Sequence, residues 1–166
     1  GIVEKGPFVG AHILSGAVMD PIAIRELMPD FLEQGCPVDS VVTEDAFWYL
    51  TEGSAIDAPL VPPPLKNKGK YIVSLSRICE WLGEKCEEAG INIFPEFPAS
   101  ELLYDTDSDR VLGIRTGDKG VDKEGRPKDN FEPGVDLLAK VTVLGEGSRG
   151  SLAKQAMSRL GLMEGK

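Results

Sequence analysis

Glu4 is the first residue whose type and position could do chemistry, since it closes the apolar opening run Ile2-Val3. In dinucleotide-binding folds an acid at the end of the second strand takes the adenosine ribose hydroxyls, and a carboxylate can accept two of them at once. The matching glycine-rich turn would lie about 20 residues or more upstream, and a solvated acid at a strand end has the same appearance. Next come Gly10, Ala11, His12, Ile13, Leu14, Ser15 and Gly16, running on to Met19-Asp20-Pro21. Small residues at Gly10, Ala11, Ser15 and Gly16 let a flat ligand approach the backbone, and glycine permits unusual dihedrals. A flexible turn has the same composition.

Near the other end, Val141-Thr142-Val143-Leu144 runs into Gly145, Glu146, Gly147, Ser148, Arg149 and Gly150, then a helical pattern. A strand, a glycine-rich turn and a helix start make an anion-friendly corner, because free amides and the helix dipole point at the turn. Ser148 is the candidate N-terminal cap, and an ordinary strand–helix connection is the alternative. The last candidate is Leu60, Val61, Pro62, Pro63, Pro64 and Leu65, followed by Lys66, Lys68 and Lys70. An apolar tip backed by lysines suits a membrane interface, with ammonium groups left among the headgroups. Phe47, Trp48 and Tyr49 could add aromatic anchoring. A proline-rich loop packed on the protein, or a polyproline ligand, fits the same residues.

Other chemistries lack a starting point. No Ser/His/Asp, Cys/His or paired-carboxylate arrangement is readable around the single His12. Cys36, Cys79 and Cys86 show neither a CxxC pair nor zinc or iron–sulfur spacing, and are expected to be buried free thiols. The formal charge of −9 argues against a nucleic-acid binder, which needs a basic face to displace phosphate counterions. At 166 residues, with 42% hydrophobic and 27% charged, the chain can bury a real core. No run approaches the roughly 18 apolar residues that a membrane span requires. The opening Gly1 to Gly6 lacks signal-peptide character and reads as a strand already in progress, as though inside a fold.

The elements that must position these groups follow from periodicity and punctuation. Asp20-Pro21 starts a helix over Ile22–Met28 that Pro29 stops, and a turn over Asp30–Gln34 ends at Gly35. Val41–Leu50 contains a strand, with Ala55-Ile56 its candidate partner. Tyr71–Val73 is a short strand before a helix over Ser76–Ala89, whose apolar positions Leu75, Ile78, Cys79, Leu82, Cys86 and Ala89 make one face. With Ile91–Phe94 as a strand, the β-α-β order predicts a parallel pair. Ala99–Tyr104 and Val111–Arg115 flank the turn Asp105–Asp109 as a hairpin. Asp118–Gly134 is a polar excursion outside any core, Leu137–Leu144 a strand, and Ser151–Leu160 the last helix.

Several segments occur together in one order: Glu4-Lys5, Gly10 to Gly16, Asp20-Pro21, Val42 to Asp45, Tyr71 to Leu75, Lys128 to Phe131, Glu146 to Gly150 and Leu152 to Gln155. Together they resemble the electron-transfer flavoprotein–ubiquinone oxidoreductases over essentially the whole chain. The resemblance implies a fragment of a flavoprotein oxidoreductase of mixed α/β class. Residues 1–40 would be part of a Rossmann-type FAD-binding domain of glutathione-reductase-like type. Residues 41–70 would be a β-rich quinone- and membrane-side insertion, and residues 71–166 the continuation of the FAD domain.

It further implies electrons passing from reduced electron-transfer flavoprotein to ubiquinone through FAD and a [4Fe-4S] cluster. The enzyme would sit on one face of a membrane, the matrix face of the mitochondrial inner membrane or the cytoplasmic face of a bacterial one. Glu4, with Lys5 beside it, would hold the adenosine ribose. Gly10, Ala11, His12, Ser15 and Gly16 would run beside the flavin and its pyrophosphate, and Glu146, Gly147 and Ser148 would form a second turn near FAD. Leu60, Val61, Pro62 and Leu65 would face quinone and lipid. The cluster's ligands would lie outside this chain, which alone is expected to hold no metal and to be inactive. The alternatives are a related FAD-dependent hydroxylase or isoprenoid reductase, and a non-catalytic membrane-surface or polyproline-presenting module.

Overall fold

The computed structural model describes residues 1–14 and 16–163. Its strands are β1 (Ile2–Val3), β2 (Ala17–Met19), β3 (Val38–Val41), β4 (Trp48–Leu50), β5 (Ala55–Asp57), β6 (Tyr71–Val73), β7 (Ile93–Phe94), β8 (Ala99–Tyr104), β9 (Val111–Thr116), β10 (Lys119–Val121), β11 (Pro127–Glu132) and β12 (Asp136–Leu138). The helices are α1 (Ile22–Leu27), α2 (Leu75–Glu88) and α3 (Ser151–Arg159). This is a mixed α/β structure with several small sheets. The chain divides into two compact units, one spanning Phe8–Asn92 and the other joining Gly1–Pro7 to the chain from Ile93 onward.

In the Phe8–Asn92 unit, β6 is the middle strand of an antiparallel sheet in the order β2-β6-β3. Tyr71 and Val73 are buried and Ile72 is exposed, the alternation of a sheet with one covered face. The covered face packs on Ile24, Phe31, Cys36, Ile78 and Trp81. The α1 helix starts and stops near the expected bounds, and Asp20 Oδ1 accepts the Ile22 N–H at 3.2 Å. Gly35 closes the following turn at φ +83°, a conformation that glycine adopts without steric cost.

Helix α2 buries the middle of the expected stripe and adds Trp81 to it. Ile78 and Trp81 face the core with Leu82 packed beside them, Cys79 and Cys86 are half-buried, and the end positions Leu75 and Ala89 are exposed. Trp81 lies three residues beyond Ile78 on the same face, and its indole N–H donates to the Gln34 carbonyl at 3.2 Å, so the ring is buried without stranding its donor. Cys36 is buried, Cys79 and Cys86 are half-buried, and all three are free. Burial pushes the Cys36 and Cys79 thiols up from their ordinary range, which disfavours the thiolate.

The expected β-α-β unit does not form. Strand β6 pairs antiparallel with both of its neighbours, and β7 pairs parallel with β1, Ile2 opposite Ile93 and Val3 opposite Phe94. A β6 already hydrogen-bonded along both edges has no free edge left for a parallel partner.

The other unit holds the expected hairpin as β8 and β9, with β12 added on the far side of β9. Asp105 shapes its turn by accepting the Asp107 N–H at 3.0 Å and pairing with Arg110 at 3.1 Å. These bonds, the Asp107 amide first, hold the Asp105 carboxyl below its usual range. Leu102, Ile114 and Leu152 form the core under α3. The polar excursion folds into the hairpin β10–β11, and β11 is exposed along its whole length. The expected strand over Leu137–Leu144 is cut short, since only Asp136–Leu138 pairs. Beyond it Val141 and Val143 remain 77% and 87% exposed, because among the described residues no strand runs alongside them to complete a ladder.

Candidate functional site

Glu4 sits at the C-terminal end of the parallel pair β1–β7, the end at which open α/β sheets bind ligands. Its backbone is held on both sides: its N–H donates to the Phe94 carbonyl and its own carbonyl accepts from the Phe97 N–H, each at 3.0 Å. One carboxylate oxygen accepts the Gly6 N–H at 2.5 Å. The second carries no protein hydrogen bond among the described residues, so one acceptor remains for an outside hydroxyl.

Lys5 is exposed and lines an open cavity of about 480 Å³ with Pro7, Glu96, Pro98 and Lys119. The Lys119 ammonium lies 3.8 Å from the centre of the Phe97 ring, and Glu96 takes φ +61°. Sequence reading passed over Glu96 and Lys119, because nothing local ties them to Lys5. Only the fold brings residues so far apart in the chain together.

The turn at Glu146–Ser148 belongs to the same unit as Glu4 and Lys5. Gly147 to Arg149 make one 3-10 turn before α3, with Gly147 at φ +71°. The expected capping by Ser148 is not observed. Glu146 caps the helix, its carboxylate accepting the N–H groups of Leu152 at 3.2 Å and Ala153 at 2.8 Å. An acid fits this place because the helix start presents unpaired amides and the positive end of the dipole, and a longer side chain spans the turn that serine cannot. The corner therefore carries its own anion. Replacing Glu146 with Ala is expected to cost about 1–2 kcal/mol, read as a lowered denaturation midpoint with an unchanged slope; a shift of under a few tenths of a kcal/mol would contradict this capping role.

Gly10, Ala11, His12 and Gly16 lie in the Phe8–Asn92 unit; Ser15 lies outside the described residues. Gly10 is buried at φ +92°, and a Cβ there would meet the Ser76 carbonyl oxygen at 2.6 Å. The Ser76 hydroxyl donates to the Gly10 carbonyl at 2.8 Å. At this position, then, lack of a side chain lets the backbone close on the first turn of α2. Gly16 at φ +93° faces open space, Ala11 is half-buried and His12 is exposed.

Leu60, Val61, Pro62 and Leu65 lie in an excursion that leaves the sheet after Val42 and returns at Gly69. Leu60 is 70% and Leu65 49% exposed, while Val61 and Pro62 are half-buried. The hairpin β4–β5 lies in the same excursion and exposes Trp48, Tyr49, Leu50 and Ile56. Lys66 and Lys68 are exposed, and Lys70 pairs with Asp20 at 3.6 Å. So many large apolar side chains turned outward in one segment is unusual for a soluble surface.

No protein-family model matches the chain. Individual proteins do. Over 163 residues it is 45% identical to the mitochondrial electron transfer flavoprotein-ubiquinone oxidoreductase of Arabidopsis thaliana, covering 98% of this chain and 25% of that protein. It is 46% identical over 162 residues to the mitochondrial protein of the same name from Homo sapiens, covering 97% of this chain and 26% of that one. A probable electron transfer flavoprotein-ubiquinone oxidoreductase of Acinetobacter baylyi is 47% identical over 164 residues, covering 97% and 29%. This chain is homologous to part of the electron transfer flavoprotein-ubiquinone oxidoreductases. It spans about a quarter of the length of these curated relatives. Because the alignments take in 97–98% of the chain, the likeness to electron transfer flavoprotein-ubiquinone oxidoreductases extends through nearly all of both units.

Proposed function

We propose that this chain works as part of an electron-transfer flavoprotein–ubiquinone oxidoreductase, which takes electrons from reduced electron-transfer flavoprotein and delivers them to ubiquinone at a membrane surface. The observation that carries this reading is 45–47% identity over 97–98% of the chain to proteins of that name. Some of those relatives are named mitochondrial; in this reading the working place is the matrix face of the mitochondrial inner membrane, or the cytoplasmic face of a bacterial inner membrane.

FAD, when bound, supplies one- and two-electron chemistry that no side chain can. The chain's own residues fit the task of holding it. Glu4 keeps one carboxylate oxygen free at the ligand-binding end of a parallel strand pair, suited to a ribose hydroxyl, with Lys5 next to it. In this reading β1 and β7 belong to a Rossmann-type sheet. Val141-Thr142-Val143-Leu144, three of its four residues β-branched as strands favour, is a further strand of that sheet once a partner strand lies beside it. In the same unit as Glu4, the turn Glu146-Gly147-Ser148 approaches the cofactor through its backbone, the Glu146 carboxylate being engaged at the start of α3.

A [4Fe-4S] cluster does not fit this chain. Such clusters take four thiolates, the sequence has three cysteines, and among the described residues no group of three or more His, Cys, Asp or Glu is arranged to hold a metal. Its ligands in this reading lie elsewhere in the enzyme. Leu60, Val61, Pro62 and Leu65, with Trp48 and Tyr49, seat the protein on one leaflet and give quinone access. No helix of the described residues is long and apolar enough to cross a membrane, which suits a monotopic attachment.

The ribose assignment is tested in the full-length, flavin-loaded enzyme. Glu4→Ala should weaken FAD retention about tenfold or more, the scale of a lost hydrogen bond to a charged acceptor, seen as flavin absorbance lost on desalting. Retention equal to the parent would sink the assignment.

A further inference from the structure

The exposed apolar excursion has no core of its own, yet its two arms meet at a defined place. Val42 and Gly69 close its neck by backbone bonds, Val42 N–H to the Lys70 carbonyl and Gly69 N–H to the Val42 carbonyl, each at 2.8 Å. Further out, one oxygen of the half-buried Asp45 carboxylate accepts the N–H of Asn67 at 2.9 Å and of Lys68 at 3.0 Å. The Asn67 side chain in turn donates to the Leu65 carbonyl at 3.0 Å, at the end of the 3-10 turn Pro63–Leu65. The remaining side-chain bonds found within the excursion, between Thr51 and Ser54, stay inside the tip of the β4–β5 hairpin.

We propose that Asp45 is a positioning residue: its carboxylate ties the outgoing arm to the returning arm and so sets the angle at which the apolar excursion meets a bilayer. The inference rests on the membrane-facing reading of Leu60–Leu65. An ionised acceptor taking two backbone amides is among the stronger single anchors a surface segment can have, and it acts where apolar packing is missing. Without it, the arms are joined at the neck and through the Phe47 carbonyl, which accepts the Ala58 N–H at 2.8 Å. The Leu65 tip then swings relative to the hairpin bearing Trp48 and Leu50, and the apolar groups no longer reach one plane together.

The test uses the full-length, flavin-loaded enzyme with phosphatidylcholine vesicles containing a long-chain ubiquinone. Asp45→Ala should weaken vesicle co-sedimentation about tenfold, in line with two lost charge-assisted bonds. It should also raise KM for the embedded quinone, while flavin content and KM for a water-soluble short-chain quinone stay at parent values. Asp45→Asn, whose amide oxygen can accept the same two N–H groups, should recover most of the binding. Leu60→Asp with Leu65→Asp reports on the membrane reading itself. If that double variant loses binding and Asp45→Ala does not, the positioning role is wrong and the membrane reading stands. If the double variant binds like the parent, both are wrong. Loss of flavin in Asp45→Ala, or no recovery in Asp45→Asn, also overturns the proposal.

Discussion

Phe31→Ala is expected to destabilise the Phe8–Asn92 unit by about 3–5 kcal/mol, the range for deleting a fully enclosed aromatic ring. Phe31 is 2% exposed and meets Tyr71 edge-on, with ring centres 5.8 Å apart at 86°. It lies in the turn after α1 and reaches the covered face of the β2-β6-β3 sheet, among Ile24, Cys36, Val73, Ile78 and Trp81. Its backbone is tied as well, the carbonyl accepting the Cys36 N–H at 3.0 Å. The lining is therefore held by a helix, a turn and a strand, and cannot simply close over the gap. Urea denaturation followed by tryptophan fluorescence reads the loss, because buried Trp81 belongs to the same core. Phe31→Leu, which keeps most of the volume, should cost distinctly less. A loss below about 1 kcal/mol for Phe31→Ala would show that this core is looser than its packing indicates.

Gly113→Ala should be nearly as damaging in the other unit, on the order of 3 kcal/mol from backbone strain and overpacking together. Gly113 stands in β9 between two partners, opposite Leu103 of β8 and Leu138 of β12. Its φ of +155° is rarely adopted by residues with a side chain, and a Cβ would lie 2.0 Å from the Leu137 carbonyl oxygen. That oxygen is backbone and cannot rotate away, so β12 must leave the sheet. The departure also breaks the two-pronged pair of Arg115 with Asp136, at 2.6 and 2.9 Å. The pair is solvent-exposed and adds little by itself, so the damage comes from the strand. Gly125 makes the comparison: it takes φ +81° but nothing lies within 4 Å of its missing Cβ, so Gly125→Ala should cost only about 1–2 kcal/mol, the conformational part. Hydrogen exchange at Leu137 and Leu138 distinguishes the two. If both variants lose the same stability, the close approach at Gly113 is not what matters.

Much of the local structure was legible in the residues alone. Asp20, Pro21 and Pro29 bracket α1, the three-to-four spacing around Ile78 marks α2, and the acidic turn Asp105–Asp109 separates β8 from β9. Each of these signals acts over a few residues, through backbone dihedrals, capping or the repeat of one element. The order of motifs also carried the family resemblance, and the alignments with the oxidoreductases bear it out.

Partner choice was another matter. An apolar, β-branched stretch announces a strand but does not say which strand lies beside it. Tyr71–Val73 therefore became the middle of an antiparallel sheet, Ile93–Phe94 joined Ile2–Val3, and Val141–Leu144 stayed unpaired. The same holds for side chains acting across distance: Glu146 caps α3 in place of Ser148, Trp81 reaches the Gln34 carbonyl, and Asp45 binds amides 22 and 23 residues away. Periodicity records which face of an element is apolar, and only tertiary packing decides what that face and its unpaired polar groups meet.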